Sequence, residues 1–183
     1  KLDHPHGLAL EARLPNVEGR GEVTVRSLVR NTLRMRPDRL IVGEVRGPEV
    51  FDMLQAMNSG HEGSLTTVHA NSAVDALRRL ENLVLMGGFE LPSRAIRELL
   101  GATIHLVVQT SRFADGARRV TSIGEVGWAG EELASIELFR FEAGKSGTGI
   151  GRHRATGVTT RFLERLQRVG WKPVSTAQGG PGG

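Results

Sequence analysis

Arg39-Leu40-Ile41-Val42-Gly43-Glu44-Val45-Arg46-Gly47-Pro48 is the stretch whose reading decides the fold. A short, mostly branched apolar run ends in a glycine and a carboxylate. Such a run, without polar alternation, is expected of a strand buried on both faces of a parallel sheet. Gly47-Pro48 then breaks the strand, and Pro48 is placed to open a helix, where its missing N–H costs nothing. Glu44 therefore sits at the carboxyl end of a buried strand. In open α/β sheets ligands collect outside those ends.

Working outward, helices and strands alternate. Thr24 is positioned as an N-cap for a helix carrying Val25, Leu28, Val29, Thr32 and Leu33, which Pro37 ends. Phe51, Leu54, Gln55 and Met57 carry the helix after Pro48 as far as Gly60. Ser64 to His69 reads as a second strand. Ser72 caps a long helix through Ala76, Leu77, Leu80, Leu83 and Val84 that stops at Gly87-Gly88. Pro92 opens another helix using Ile96, Leu99 and Leu100, and Ile104 to Gln109 reads as a third buried strand. Upstream, Leu8 to Arg13 reads as a short strand in an otherwise irregular segment. Downstream the pattern changes. Arg118 to Val126 and Leu133 to Glu142 read as antiparallel strands, with Asp115-Gly116 as the turn before them. Thr159 to Val169 reads as an amphipathic helix built on Phe162, Leu163 and Leu166, and Ser175 to Gly183 as a disordered tail. The expected fold is α/β, with a mostly parallel sheet, helices on both faces, and an antiparallel C-terminal extension.

Composition bounds the chemistry. The chain has 183 residues, 39% hydrophobic and 24% charged, which suits one folded domain. It has no cysteine, which removes disulfides, thiolate zinc sites and cysteine nucleophiles. No apolar run approaches the roughly 20 residues that cross a bilayer. The net charge is +4, and the surplus sits beyond Gly151, where six Lys/Arg face Glu164 alone. Those arginines are spread along a helix, as on a solvated face, and nucleic-acid binding is not expected.

Four groups of residues could carry chemistry. Glu44 could hold a magnesium-bound water or polarise an attacking one, or it could simply pair with Arg46. His69, at the end of the next strand, could meet a γ-phosphate, or it could be satisfied by a backbone carbonyl. A histidine metal site is disfavoured, since His61 and His69 lack metal-ligand spacing. Arg34, Arg36, Arg39 and Arg46 could clamp phosphate oxygens or merely flank a buried strand. Arg78, Arg79, Arg94 and Arg97 read as solvated or intersubunit helix faces. Finally, Ala143-Gly144-Lys145-Ser146 mimics the end of a phosphate loop. That loop requires G-x-x-x-x-G-K-[ST], and the first glycine position holds Phe139, so Gly144 to Gly151 reads as a hairpin loop.

Together these segments resemble the ATPase superfamily of type II and type IV secretion and pilus assembly, with the nearest likeness to the tight-adherence (Flp) pilus and conjugal-transfer ATPases. The resemblance rests on Arg34 to Glu49, Asp52 to His61 and Gly63 to Asn71, with Pro15-Asn-Val-Glu-Gly19 and Arg154-Ala-Thr-Gly157 also fitting. It runs from about Leu8 to Gly170. It implies that Gly43-Glu44 is an atypical Walker B, with Glu44 near Mg2+ through water. It implies that His69 is the histidine box facing the γ-phosphate side. Glu44 and His69 are then the catalytic pair, and Gly43, Arg36 and Arg46 the nucleotide-binding residues. The fold implied is a RecA-like P-loop NTPase domain. Residues 1–110 would be the C-terminal part of its core, 111–172 the antiparallel strands and last helix, and 173–183 a tail. The implied activity is ATP hydrolysis in a homo-hexamer that drives inner-membrane platform proteins. The implied location is cytoplasmic, peripheral at the inner membrane.

The family's Walker A loop and acidic box precede the Walker B strand, and neither occurs here. With Lys1 in place of an initiator methionine, the expectation is a fragment of a longer motor, inactive in isolation. The alternative from a different class is a stand-alone binding module without catalysis.

Overall fold

The computed structural model describes residues 4–144 and 151–172. The first helix, α1 (Val25–Thr32), begins where expected, because the Thr24 hydroxyl accepts the Ser27 N–H. A 3-10 turn, Leu33–Met35, extends it towards Pro37. Two short strands follow, β1 (Ile41–Val42) and β2 (Leu65–Thr66), separated by α2 (Glu49–Asn58). They pair in parallel, Ile41 opposite Leu65 and Val42 opposite Thr66. Pro48 precedes α2, and Glu49 and Asp52 lie in its first turn, where negative charge suits the helix dipole. Ser72 caps α3 (Ala73–Met86), its hydroxyl accepting the Asp75 N–H. Pro92 precedes α4 (Ser93–Thr103).

The core forms where these helices meet β1. Val50, Met53 and Leu54 of α2, Val84 of α3, and Ile96 and Leu100 of α4 are fully buried. Leu40, Val42 and Val45 join the same cluster. Full burial of each such side chain contributes about 1.5–3 kcal/mol. This cluster fixes β1 and the residues just beyond it, and so places Glu44. The helices pack on the face of Leu40 and Val42. On the opposite face Ile41 and Leu65 stay more than half exposed.

The second sheet is antiparallel and four-stranded, in the order β3 (Leu106–Arg112), β4 (Arg118–Ala129), β5 (Glu132–Ala143), β6 (Gly151–Ala155). Asp115-Gly116 makes the first turn, with Gly116 in the left-handed region and the Asp115 carboxylate accepting the Ala117 N–H. A two-residue turn joins β4 to β5, with Gly130 at φ +64°, as its first position requires. The last helix, α5 (Leu163–Arg168), is tied to this sheet by buried Glu125, which accepts the Thr160 hydroxyl and the Arg161 N–H and guanidinium. No helix among the described residues is long and apolar enough to cross a membrane.

The α/β class, with a parallel sheet and an antiparallel extension, is as expected from the sequence. Four details differ. The Ile104–Gln109 segment does not join the parallel pair. From Leu106 it pairs antiparallel with β4, and Leu106 and Val108 are about half exposed. Leu8–Arg13 forms no strand, since among the described residues only Arg13 has a ladder partner, Val23. The terminal helix is shorter than Thr159–Val169, and β6 was not anticipated. The hairpin-loop residues 145–150 and the tail 173–183 lie outside the described residues.

Candidate functional site

The parallel register brings two distant residues together. β1 and β2 lie side by side, so the chain leaving each emerges at the same edge. Glu44 follows β1 by two residues and His69 follows β2 by three. Their side chains meet, with His69 Nε2 3.1 Å from Glu44 Oε1. The other carboxylate oxygen, Oε2, accepts a hydrogen bond from the Arg46 guanidinium at 2.5 Å. Glu44 therefore pairs with Arg46, one of its two readings, and in addition faces His69. Among the described residues no backbone carbonyl hydrogen-bonds to His69. It reaches from solvent to the carboxylate.

Burial is graded across this group. The Glu44 side chain is 22% exposed, against 74% for Arg46 and 83% for His69. The carboxylate is therefore held at the protein wall while its partners stand in solvent. The Arg46 hydrogen bond holds the Glu44 carboxyl below its usual value. Partial burial opposes this, and the charges of Arg46, His69 and Arg79 reinforce it. Glu44 is an anion at neutral pH, fit to orient a water or to face a cation.

The backbone around Glu44 is held by further side chains. Glu49 Oε1 accepts the N–H of Arg46 at 2.7 Å and of Gly47 at 2.9 Å, fixing the turn that carries Arg46. The Thr67 hydroxyl donates to the Gly43 carbonyl at 2.6 Å. Ser64 bridges two segments, since its Oγ accepts the Leu40 N–H and donates to the His61 carbonyl. Arg79, read as a solvated or intersubunit residue, contributes positive charge to the Glu44 environment. Glu49 was legible in principle as an acid in the first turn after Gly-Pro. Thr67 and Arg79 were not, since only the register of the two strands gives them their place.

The remaining candidates separate. Gly43 has open space where a Cβ would stand, so it leaves room beside Glu44 on the exposed face. Arg36 is exposed and sits in the left-handed region at φ 51° and ψ 55°. Among the described residues, no hydrogen bond or ion pair joins it to Glu44 or His69. Arg39 lies over Gly63, where a Cβ would come within 2.8 Å of its Nε. His61 Nδ1 is 2.9 Å from the Ala56 carbonyl, a backbone partner.

Among the described residues no three His, Asp or Glu side chains converge as a metal cage. Magnesium needs no such cage. It is commonly held by one or two carboxylates, waters and phosphate oxygens. Glu44, with both oxygens already partnered, suits an outer contact through water. An open cavity of about 570 Å³ lies elsewhere, between α4 and the β4–β5 turn, lined by Arg94, Arg97, Glu98 and Trp128 among others. Its charges are mixed and already paired in part, as Arg97 is with Glu81. Glu44, whose carboxyl is lowered, stands instead where the two parallel strands end, beside Arg46 and His69.

The chain is similar to proteins named for conjugal transfer and type IV secretion. It is 43% identical over 150 residues to a putative conjugal transfer protein of Mycobacterium tuberculosis, a match covering 82% of this chain and 42% of that protein. It is 40% identical over 108 residues to the type IV secretion system protein VirB11 of Bartonella quintana, covering 58% of this chain and 30% of that one. Among solved structures, it resembles the VirB11 ATPase of the Brucella suis type IV secretion system, crystallised with sulphate. The TM-score is 0.53 and the identity 36%, over 56% of this chain and 32% of that chain. The chain thus spans less than half the length of these relatives. A model of the type II/IV secretion system protein family matches residues 8–158, and the chain belongs to that family.

Proposed function

We propose that this chain carries the hydrolytic edge of a secretion motor that consumes ATP. The observation that supports this best is the meeting of Glu44, His69 and Arg46 at the shared carboxyl end of two parallel strands. Phosphoryl transfer to water asks little covalent chemistry of a protein. It asks for positioning and for charge stabilisation. Glu44 would accept a hydrogen bond from the attacking water and orient it. His69, beside it and open to solvent, would face the γ-phosphate side. Arg46 and the open space above Gly43 would meet the nucleotide. The assignment of Arg36 to a phosphate rests on the family resemblance alone. A magnesium ion, when bound, would offset phosphate charge, and Glu44 would hold it through water.

The chain contains no G-x-x-x-x-G-K-[ST]. The groups that cradle the phosphates would then come from another part of a longer protein, and the 183 residues alone would not hydrolyse ATP. On the family resemblance alone, the longer protein would work as a homo-hexameric ring. It would lie at the cytoplasmic face of the inner membrane and drive the membrane platform of a pilus, secretion or transfer machine.

Glu44→Gln in the full-length protein tests this reading. ATP turnover falls by about 100-fold or more while nucleotide binding is kept, the usual scale for losing a positioned base. Turnover at the wild-type rate contradicts it. Magnesium-dependent hydrolysis by the isolated chain contradicts the second part, and failure of the full-length protein to bind nucleotide favours a binding module instead.

A further inference from the structure

The ladder between β1 and β2 breaks its rhythm at Glu44. With Ile41 opposite Leu65, the Leu65 N–H donates to the Leu40 carbonyl at 2.9 Å. A regular parallel continuation would have the Thr67 carbonyl accept the N–H of Glu44. It accepts the N–H of Val45 instead, at 3.1 Å. The chain leaving β1 therefore holds one residue more than the chain beside it. That is a β-bulge, a feature that re-aims side chains and is common beside active sites. The Thr67 hydroxyl donates at 2.6 Å to the carbonyl of Gly43, on the other side of the extra residue. One residue thus grips the backbone just before and just after Glu44. Two positions later the same chain delivers His69.

We propose that Thr67 is the positioning residue of this site, fixing the bulge that aims the Glu44 carboxylate at His69. The proposal rests on the hydrolytic reading of Glu44. Thr67 acts through Glu44 and touches no substrate in this account. Among the described residues no neighbour duplicates the grip. The Thr66 hydroxyl turns to the carbonyl of the next residue, Thr67, at 3.4 Å. Val68 packs against the core. A threonine suits the task because its branched Cβ restricts χ1, holding the hydroxyl in one direction. The hydrogen bond is exposed, so it adds little to overall stability. Its effect is geometric, and displacements of about 1 Å in a reacting group can cost about 100-fold in rate.

Thr67→Val keeps the shape and removes the hydroxyl, whereas Thr67→Ser keeps the hydroxyl. In the full-length protein, Thr67→Val is expected to lower kcat about 10- to 100-fold, with the KM for ATP and the melting temperature little changed. Thr67→Ser is expected to recover kcat to within about threefold of wild type. In a His69→Ala background, Thr67→Val is expected to cost less than about twofold more, because the contact it secures is already gone. The proposal is overturned if Thr67→Val turns over like wild type while Glu44→Gln is inactive. It is also overturned if Thr67→Ser is as impaired as Thr67→Val, or if the losses simply multiply in the His69→Ala background. A Thr67→Val protein that fails to fold contradicts it too, since the hydroxyl would then hold the fold rather than aim the site. Wild-type hydrolysis by Glu44→Gln removes the reading beneath it, a result separable from the Thr67 outcomes.

Discussion

The two sheets solve opposite problems. The antiparallel sheet has two 12-residue strands, β4 and β5, paired along most of their length. It supports itself through local hairpins and a backbone ladder. The parallel pair has two residues in each strand and is held by the helices packed against one face. Side chains do much of the remaining work there: Ser64 at the entry, Thr67 beyond the ladder, and Glu49 on the turn that follows. The antiparallel sheet has irregularities of its own, at Gln109/Thr110 and Ile123/Gly124, but its long ladders resume on either side of them. Among the described residues it hosts no cluster like that of Glu44, His69 and Arg46. The parallel pair does, because its two-residue ladder ends before Glu44 and leaves that carboxylate free to turn out of register.

That contrast can be strained by three changes of decreasing effect. Leu54→Ala empties a fully buried site in the helical cluster that supports β1. It is expected to cost about 2–5 kcal/mol in urea unfolding of the chain. A loss below about 1 kcal/mol would mean that the antiparallel sheet, not the helical cluster, carries the fold. Glu125→Ala releases the acceptor that ties Thr160 and Arg161 to the antiparallel sheet. The expected cost is about 1–3 kcal/mol, the scale for hydrogen bonds to a charged group, because half-exposed Arg161 can recover water. No change in the unfolding midpoint would show that the last helix does not depend on this tie.

The smallest effect concerns Arg46. Its hydrogen bond is the main reason that the Glu44 carboxyl lies below its ordinary value. A carboxyl lowered in the folded state stabilises above its unfolded value, and that contribution is lost as pH falls through the folded value. The window therefore lies on the acid side of about 4.5. Because Arg46 is largely exposed, the stabilisation is minor and the titration itself is the better readout. Carbon-13 NMR of the Glu44 carboxylate is expected to show a depressed midpoint that rises in Arg46→Ala. A midpoint unmoved by that substitution would show that Arg46 does not set the charge of Glu44.

Much of this was legible in the sequence, for reasons that differ by element. The helices announced themselves through Thr24, Ser72, Pro48 and Pro92, because capping is local chemistry. The Leu40–Val45 run announced a strand end beside Glu44. Strand partners did not show. Leu106, Val108 and their neighbours are as branched and apolar as a buried parallel strand, but they pair with the hairpin that follows. Partner choice is a tertiary matter that a short apolar run does not encode. β6 stayed hidden because Arg152-His153-Arg154 is charged, as suits an edge strand. At the site, Glu44, His69 and Arg46 were nameable from their motifs. Thr67 was one of two adjacent threonines, and nothing short of the register tells which one faces Gly43. Arg79 lay on a helix face where charge is ordinary.

The most direct test of the account is the single-turnover rate of ATP hydrolysis by the full-length protein carrying Glu44→Gln, at saturating nucleotide. The account predicts a loss of about 100-fold or more with nucleotide still bound. A rate equal to that of the wild-type protein would contradict it.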